Sequence, residues 1–242
     1  MTHYRLPLAV AAFLLAAPGS LLAQEPAVPA EAPAEAPVEA PAEAPAEAPA
    51  AGPLTDAERQ SFAEKLERGL AETDALLARA EGELFAKRPA PERWSVGEVL
   101  EHITATEELL MGSIETALGS PADPEAAGVL ERLPITALAE RVQDRSQPAQ
   151  APEAVRPKGG LTRSQATEAY HARRAKTLEF VRTTQAPLGA HTAEVPGGKL
   201  TALHFLTIVA NHNLRHNKQI AEALEQLAVP AAEPAPTPAQ QR

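Results

Sequence analysis

The sequence predicts an all-α protein, a four-helix bundle flanked by disordered Pro/Ala-rich termini. Aromatic residues make up only 3% of the 242 residues, so the core must be built from aliphatic side chains. Ala and Leu are common in the chain, and both favour helices over strands. Four long segments carry helix-type apolar spacing and are separated by stretches rich in Pro and Gly. No segment has a convincing strand pattern, so a bundle with one long crossover is expected.

The N-terminus has the pattern of a secretory signal peptide. Arg5 supplies a positive charge, and residues 6–17 form a mostly apolar run that is too short to span a bilayer. Small residues then lead to Gln24, which predicts cleavage after Ala23 and export to the periplasm or the medium. A buried N-terminal helix and an uncleaved membrane anchor are the alternatives. After removal of the signal we expect no stable membrane insertion.

Two low-complexity segments flank the part of the chain that can fold. Residues 24–53 contain Glu-Ala-Pro-Ala repeats, and residues 228–242 are again rich in Pro. A Pro every four residues excludes a continuous helix and favours extended polyproline II. We interpret residues 24–53 as a disordered linker and residues 228–242 as a disordered tail, which leaves residues 54–227 as a single bundle domain.

The overall charge and the lack of Cys exclude several kinds of function. The net charge is −10 at pH 7, which disfavours binding to nucleic acid or to anionic lipid. The sequence contains no Cys, so disulfides, cysteine catalysis and thiolate metal ligands are excluded.

Start and stop signals place the helices within the domain. Thr55 or Asp56 can cap the first helix, and two capping-box patterns, beginning at Ser95 and Thr162, open the second and third. The predicted long helices cover residues 55–80, 95–118, 162–184 and 200–227.

Two connecting stretches lie between these helices. Residues 121–161 are rich in Pro and Gly, and we expect one short helix over residues 135–142, with Pro134 in its first turn. The stretch is either a wall of a substrate pocket or a surface loop. Residues 185–199 are predicted to be a loop.

Three histidines are placed to hold one metal ion. His212 and His216 are four residues apart on the last helix, so both rings point along nearly the same face. His102 lies on the apolar face of the second helix. Two imidazoles at i and i+4, with a third from a facing helix, can grip a divalent ion and leave positions open for water or substrate.

Simpler readings of these residues stand beside the metal hypothesis. Each histidine could be an ordinary core residue. Glu98, one turn before His102, is a candidate to orient that ring or to assist proton transfer, but it is also the capping-box partner of Ser95. Gln219, one turn after His216, could orient that ring or be a polar residue at the core edge.

Two segments carry a family resemblance. Residues 93–103 have a Trp-Ser pair opening a helix, followed by a Glu and a His one turn apart, and residues 212–220 have a His-x-x-x-His followed by Gln-Ile. Both resemble signatures of the DinB/YfiT-like family, and the resemblance extends over about residues 55–227. It implies a four-helix bundle in which a divalent metal, zinc or nickel, is held by three ligands: His102, His212 and His216.

The resemblance leaves the activity open. The family includes transferases that use small cytosolic thiols, and such thiols are scarce in the oxidising exterior where this chain is expected to reside. The first hypothesis is a metal-dependent transferase or hydrolase acting on a small-molecule substrate, with Glu98 assisting proton transfer. The alternatives are a non-catalytic metal- or ligand-binding module tethered outside the membrane, and a bundle whose histidines are structural. Relatives also suggest a homodimer.

Overall fold

The computed structural model describes residues 52–146 and 150–228. The predicted signal peptide, nearly all of the linker and nearly all of the tail lie outside these residues. The two described ranges contain six α-helices and one two-stranded antiparallel sheet. None of the helices within them is long and apolar enough to cross a bilayer.

Four long helices form the bundle, in agreement with the fold class predicted from the sequence. Helices α1 and α2 each pack against both α5 and α6. The short helices α3 and α4 lie in the crossover between α2 and α5, and α4 packs against α6. The six helices are α1 (Asp56–Arg79), α2 (Val96–Leu118), α3 (Ala126–Arg132), α4 (Ile135–Gln143), α5 (Arg163–Thr183) and α6 (Ala202–Ala228).

Three of the long helices begin at capping boxes, with Thr55, Ser95 and Thr162 at the N-cap. In each, the N-cap hydroxyl accepts the N–H of the residue three positions later, and that residue's side chain accepts the N–H of the N-cap. Two backbone donors at the helix start are satisfied in this way. The two capping boxes predicted at Ser95 and Thr162 are therefore confirmed.

The loop predicted over residues 185–199 and the expectation of no strand are both wrong. Strands β1 (Thr192–Val195) and β2 (Gly198–Thr201) pair as an antiparallel hairpin. Each strand has only four residues, which is too short to show a clear alternation of apolar and polar positions. The turn between them uses Gly197, whose φ is +98° and therefore favours glycine.

The core has two apolar clusters with a polar layer between them. One cluster includes Leu66, Leu110 and Leu206, and the other includes Leu77, Leu100 and Ile220. In α2, residues 110–117 belong to the first cluster and residues 96–103 to the second, and the other long helices divide in the same way, so the clusters lie towards opposite ends of the bundle. The buried polar side chains between them include Thr73, His102, Glu107, Arg174, Asn213, His216 and Asn217.

Candidate metal centre

The structure brings together all three histidines that the sequence singled out. One ligand atom from each of His102, His212 and His216 lies within 4.8 Å of the others. The Nε2 atoms of His212 and His216 are 3.0 Å apart. The ring centroid of His102 lies 5.1 Å from that of His212 and 4.7 Å from that of His216. A single ion could therefore contact one nitrogen from each ring.

Two of the three rings are oriented by a hydrogen bond from the nitrogen that faces away from the centre. The Nδ1–H of His102 donates to the backbone carbonyl of Val155 at 2.8 Å. The Nδ1–H of His216 donates to Oε1 of Gln219 at 2.8 Å, which confirms the orienting role predicted for Gln219. Since both Nδ1 atoms carry the proton, the Nε2 lone pairs are available to a metal.

Glu98 does not orient His102, and that part of the sequence prediction is wrong. Its Oε2 accepts the backbone N–H of Ser95 at 2.9 Å and Nε–H of Arg88 at 2.8 Å. Its Oε1 accepts a further hydrogen bond from Arg88. The carboxylate therefore bonds to the capping box and to Arg88, while the backbone carbonyl of Val155 in the crossover orients His102. The catalytic role of Glu98 stays a prediction that none of these contacts supports.

Burial keeps the three imidazoles neutral at pH 7. Burial is the main cause of the lowered pKa of His102, and it also holds the pKa of His212 well below the usual value. Burial, followed by the charge of His102, lowers the pKa of His216 to about 3. A metal ligand must be unprotonated, so protons do not compete strongly for these nitrogens near neutral pH.

The donor set fits a divalent transition metal. Among the described residues, the cluster consists of three neutral imidazoles without a carboxylate, and imidazole nitrogen suits zinc, nickel, copper and iron. Three protein ligands leave at least one coordination position for another group. The residues therefore fit a divalent ion but do not select one metal.

Two asparagines that the sequence analysis missed fix the rotation of α6. Asn213 and Asn217 follow His212 and His216 directly, about 100° further round the helix. The amide of Asn213 donates to Oγ1 of Thr73 at 3.1 Å, and the amide of Asn217 donates to the carbonyl of Gly69 at 3.0 Å. With these residues bonded to α1, the two histidines point towards α2. In the sequence, the His-Asn pair that repeats after four residues could have pointed to these two asparagines.

A buried ion pair completes the polar layer and was also missed. Arg174 on α5 donates from Nη2 to Oε2 of Glu107 at 2.7 Å and to Oδ1 of Asn213 at 2.8 Å. The hydroxyl of Tyr170 donates to the same Oδ1 at 2.6 Å. These contacts link α2 and α5 to the residue that follows His212. No sequence pattern distinguishes Arg174 from the exposed arginines on the same helix.

Other histidines serve the fold or lie on the surface. His204 is fully buried, where its Nδ1 accepts the N–H of Thr201 at 3.1 Å and its Nε2–H donates to the carbonyl of Leu133 at 2.6 Å. His171 is exposed and contacts Asp74 at 2.7 Å, as expected for a surface residue. Neither belongs to the metal centre.

Comparisons with known proteins agree with this architecture. The model of the DinB superfamily matches residues 65–220, more than half of the chain. A solved structure of YfiT from Bacillus subtilis, described as a probable metal-dependent hydrolase with an unusual four-helix bundle topology, is similar to this chain. The TM-score is 0.50 at 12% identity, over 76% of this chain and 93% of YfiT. This likeness shows the fold. The search of curated proteins finds no match. On the family match, this chain is a member of the DinB superfamily.

Proposed function

We propose that this protein holds one divalent metal ion on His102, His212 and His216 and uses it in hydrolysis or group transfer on a small substrate. The observation that carries the proposal is the convergence of three imidazole nitrogens within 4.8 Å. Support also comes from the Nδ1 hydrogen bonds of His102 and His216, which leave both Nε2 atoms unprotonated. YfiT, described as a probable metal-dependent hydrolase, has the same fold.

The chemistry of such a centre divides between the ion and the chain. A bound divalent ion would supply Lewis acidity, which polarises a carbonyl or phosphoryl group and lowers the pKa of water. The chain's own residues hold the imidazoles in place and cover His102. Trp94 covers one side of His102, with ring centroids 5.0 Å apart, and the 3-10 turn at Glu153–Val155 covers Nδ1 of the same ring.

Export is the second part of the proposal. The basic first residues, the apolar run of residues 6–17 and the Pro-rich repeat that follows it support a secreted domain on an extended tether. Expression of the full chain with analysis of its mature N-terminus tests this part. We expect a chain that begins at Gln24 in the exported fraction. A chain that stays in the cytoplasm with residues 1–23 intact would contradict export.

Turnover tests the enzymatic part of the proposal. The protein, expressed without a His-tag and loaded with zinc or nickel, is assayed against a panel of esters, amides, phosphoesters and small-thiol acceptors. We expect activity on at least one class, lost in His216→Ala and kept in the matched control His171→Ala, which replaces a surface histidine. Activity of equal size in parent and His216→Ala would exclude this centre as its source.

Burial of the centre favours one alternative, a non-catalytic metal-binding module. His102 is 4% exposed and His216 is 8% exposed, whereas His212 is only half-buried, so two of the three imidazoles are largely closed off from solvent. Stoichiometric metal binding together with no turnover across the panel would support this module. Metal binding with turnover would support the enzyme.

A further inference from the structure

Three guanidinium groups lie near the candidate centre, and two of them contact one carboxylate. Arg145 binds Glu222 through two hydrogen bonds, from Nη1 at 2.7 Å and from Nη2 at 2.6 Å. Arg93 reaches the same carboxylate at 3.6 Å and precedes Trp94, whose ring contacts His102. Arg215 directly precedes His216. The cluster therefore carries more positive than negative charge, in a chain whose net charge is −10.

Within the part of the chain that the structure describes, Arg215 is the one of these three guanidiniums that lacks a carboxylate partner. It is partly buried, and its Nη1 donates to the backbone carbonyls of Val142, at 3.5 Å, and Asp144. No ion pair of Arg215 is found among the described residues, and its Nε and Nη2 make no hydrogen bond there. The carboxylate of Asp144 instead accepts the N–H and hydroxyl of Ser146, at 2.8 and 3.0 Å.

This arrangement has an electrostatic cost that an anion would offset. The carbonyl of Asp144 that accepts Nη1–H of Arg215 belongs to the residue directly before Arg145, so two guanidiniums lie close together in a partly buried place, where like charges repel one another. A divalent ion on three neutral imidazoles would add two further positive charges. Excess positive charge of this kind favours an anionic ligand beside the centre.

We propose that the substrate of this centre is a small oxyanion, whose carboxylate or phosphate group docks on Arg215 and Arg145 beside the three histidines. This inference rests on the proposed function and names the class of its substrate. A guanidinium presents a planar fork of N–H donors that matches carboxylate and phosphate oxygens. The contact of Arg145 with Glu222 already has that bidentate form. Nε–H and Nη2–H of Arg215, which bond to none of the described residues, offer a second set of donors for an oxyanion.

Calorimetric titration of the full chain with inorganic phosphate, and separately with malonate, tests the proposal. Both zinc-loaded and zinc-free protein are titrated. We expect at least one of the two anions to bind, with affinity reduced at least about tenfold in Arg215→Gln and partly restored in Arg215→Lys. The matched control is Arg182→Gln, which replaces an exposed arginine paired with Glu67 and should leave binding unchanged. The anion that binds more tightly identifies a phosphate or a carboxylate substrate.

A second variant provides an effect of opposite sign that a purely structural role would not produce. Glu222→Gln removes the carboxylate that occupies Arg145, so anion binding should become tighter. This variant also keeps the proposal testable if Arg215→Gln fails to fold, because it leaves the hydrogen bonds of Arg215 intact. Binding of neither anion by zinc-loaded or zinc-free parent, or equal binding in parent, Arg215→Gln and Glu222→Gln, would overturn the oxyanion site.

The experiment separates failure of this inference from failure of the proposed function. Zinc content is measured by mass spectrometry on the same samples. If neither zinc nor nickel binds, the metal centre is excluded, while anion binding by the metal-free protein still reports on the arginines. If zinc binds but neither anion does, the metal centre survives and the substrate class is wrong.

Discussion

Arg174 and Glu107 form an ion pair in the middle of the bundle, with Nη2 and Oε2 2.7 Å apart and the two side chains 1% and 3% exposed. The same Nη2 donates to Asn213 at 2.8 Å. A contact between α2 and α5 therefore also fixes the part of α6 that carries the histidines. Because both side chains are buried, solvent would not reach one charge if the other were removed.

Removing one partner should destabilise the protein strongly. Glu107→Leu leaves the guanidinium of Arg174 buried and unpaired, and we expect a loss of about 3–5 kcal/mol in the free energy of unfolding, measured by urea denaturation. The matched change is Glu67→Leu, whose partner Arg182 is exposed, and which should cost less than about 1 kcal/mol. Similar losses for both variants would contradict a special role for the buried pair.

The closeness of α1 and α6 at the polar layer depends on Gly69. A Cβ at this position would lie 3.0 Å from Oδ1 of Asn213, an atom that Tyr170 and Arg174 hold in place. Gly69→Ala should therefore destabilise the bundle by about 1–3 kcal/mol.

The control for this change is Gly112→Ala in α2, where an added Cβ meets nothing within 4 Å. This variant should be stabilised by roughly 0.5–1 kcal/mol, because Ala costs less conformational entropy than Gly in a helix. Thermal unfolding of both variants measures the difference. An unchanged or raised melting temperature for Gly69→Ala would show that Asn213 can shift.

The features predicted correctly from the sequence are those encoded by local patterns. Capping boxes at Ser95 and Thr162 mark helix starts because the bonds they form span only three residues. The i, i+4 spacing of His212 and His216 places two rings together for the same reason. The inward position of His102 was predicted from the apolar face of its helix and from the family resemblance, because its partners lie on another helix.

The features missed depend on contacts between distant parts of the chain. Arg174 reads as one of several arginines on a polar helix, and only its packing against Glu107 and Asn213 reveals it as buried. The partner of His102 is a backbone carbonyl in the crossover, which no side-chain pattern encodes. The hairpin was missed because its two strands are too short to show periodicity.

Gln219 should contribute to metal affinity without being a ligand. It orients His216 by accepting the Nδ1–H at 2.8 Å, and loss of such a partner weakens metal binding by about 10–100-fold. We therefore expect Gln219→Ala to raise the zinc dissociation constant by that factor, measured by competition with a chelating dye. Gln60→Ala, at an exposed glutamine of α1, serves as the control. Equal zinc affinities in both variants would argue that His216 is held by packing alone.

The metal-free protein should lose stability as the pH falls from about 6.5. The pKa of His216 is about 3 in the folded state, against 6.5 for an ordinary histidine in the unfolded chain, so between these values the unfolded chain binds more protons. Stability therefore rises with pH across this window, and His216 alone should account for a loss of roughly 2 kcal/mol between pH 7 and pH 5.

Urea denaturation of the metal-free protein at pH 7 and pH 5 measures this dependence. The carboxyl of Asp123, whose pKa is lowered to about 2 chiefly by its hydrogen bond from Thr192, acts in the same direction but at lower pH. The interval between pH 5 and pH 7 therefore isolates the imidazoles. His216→Gln should remove the part of the pH dependence of unfolding free energy that His216 contributes. An unchanged pH dependence would mean that this ring is not buried in the metal-free protein.

The central claim is that three histidines hold one divalent ion, and metal content tests it most directly. Mass spectrometry is applied to the full chain, expressed without a His-tag and incubated with zinc or nickel, beside the His212→Ala/His216→Ala double variant. We predict close to one equivalent of metal in the parent and almost none in the variant, with His171→Ala retaining the parent value. No metal in the parent, or equal metal in parent and double variant, would contradict the account.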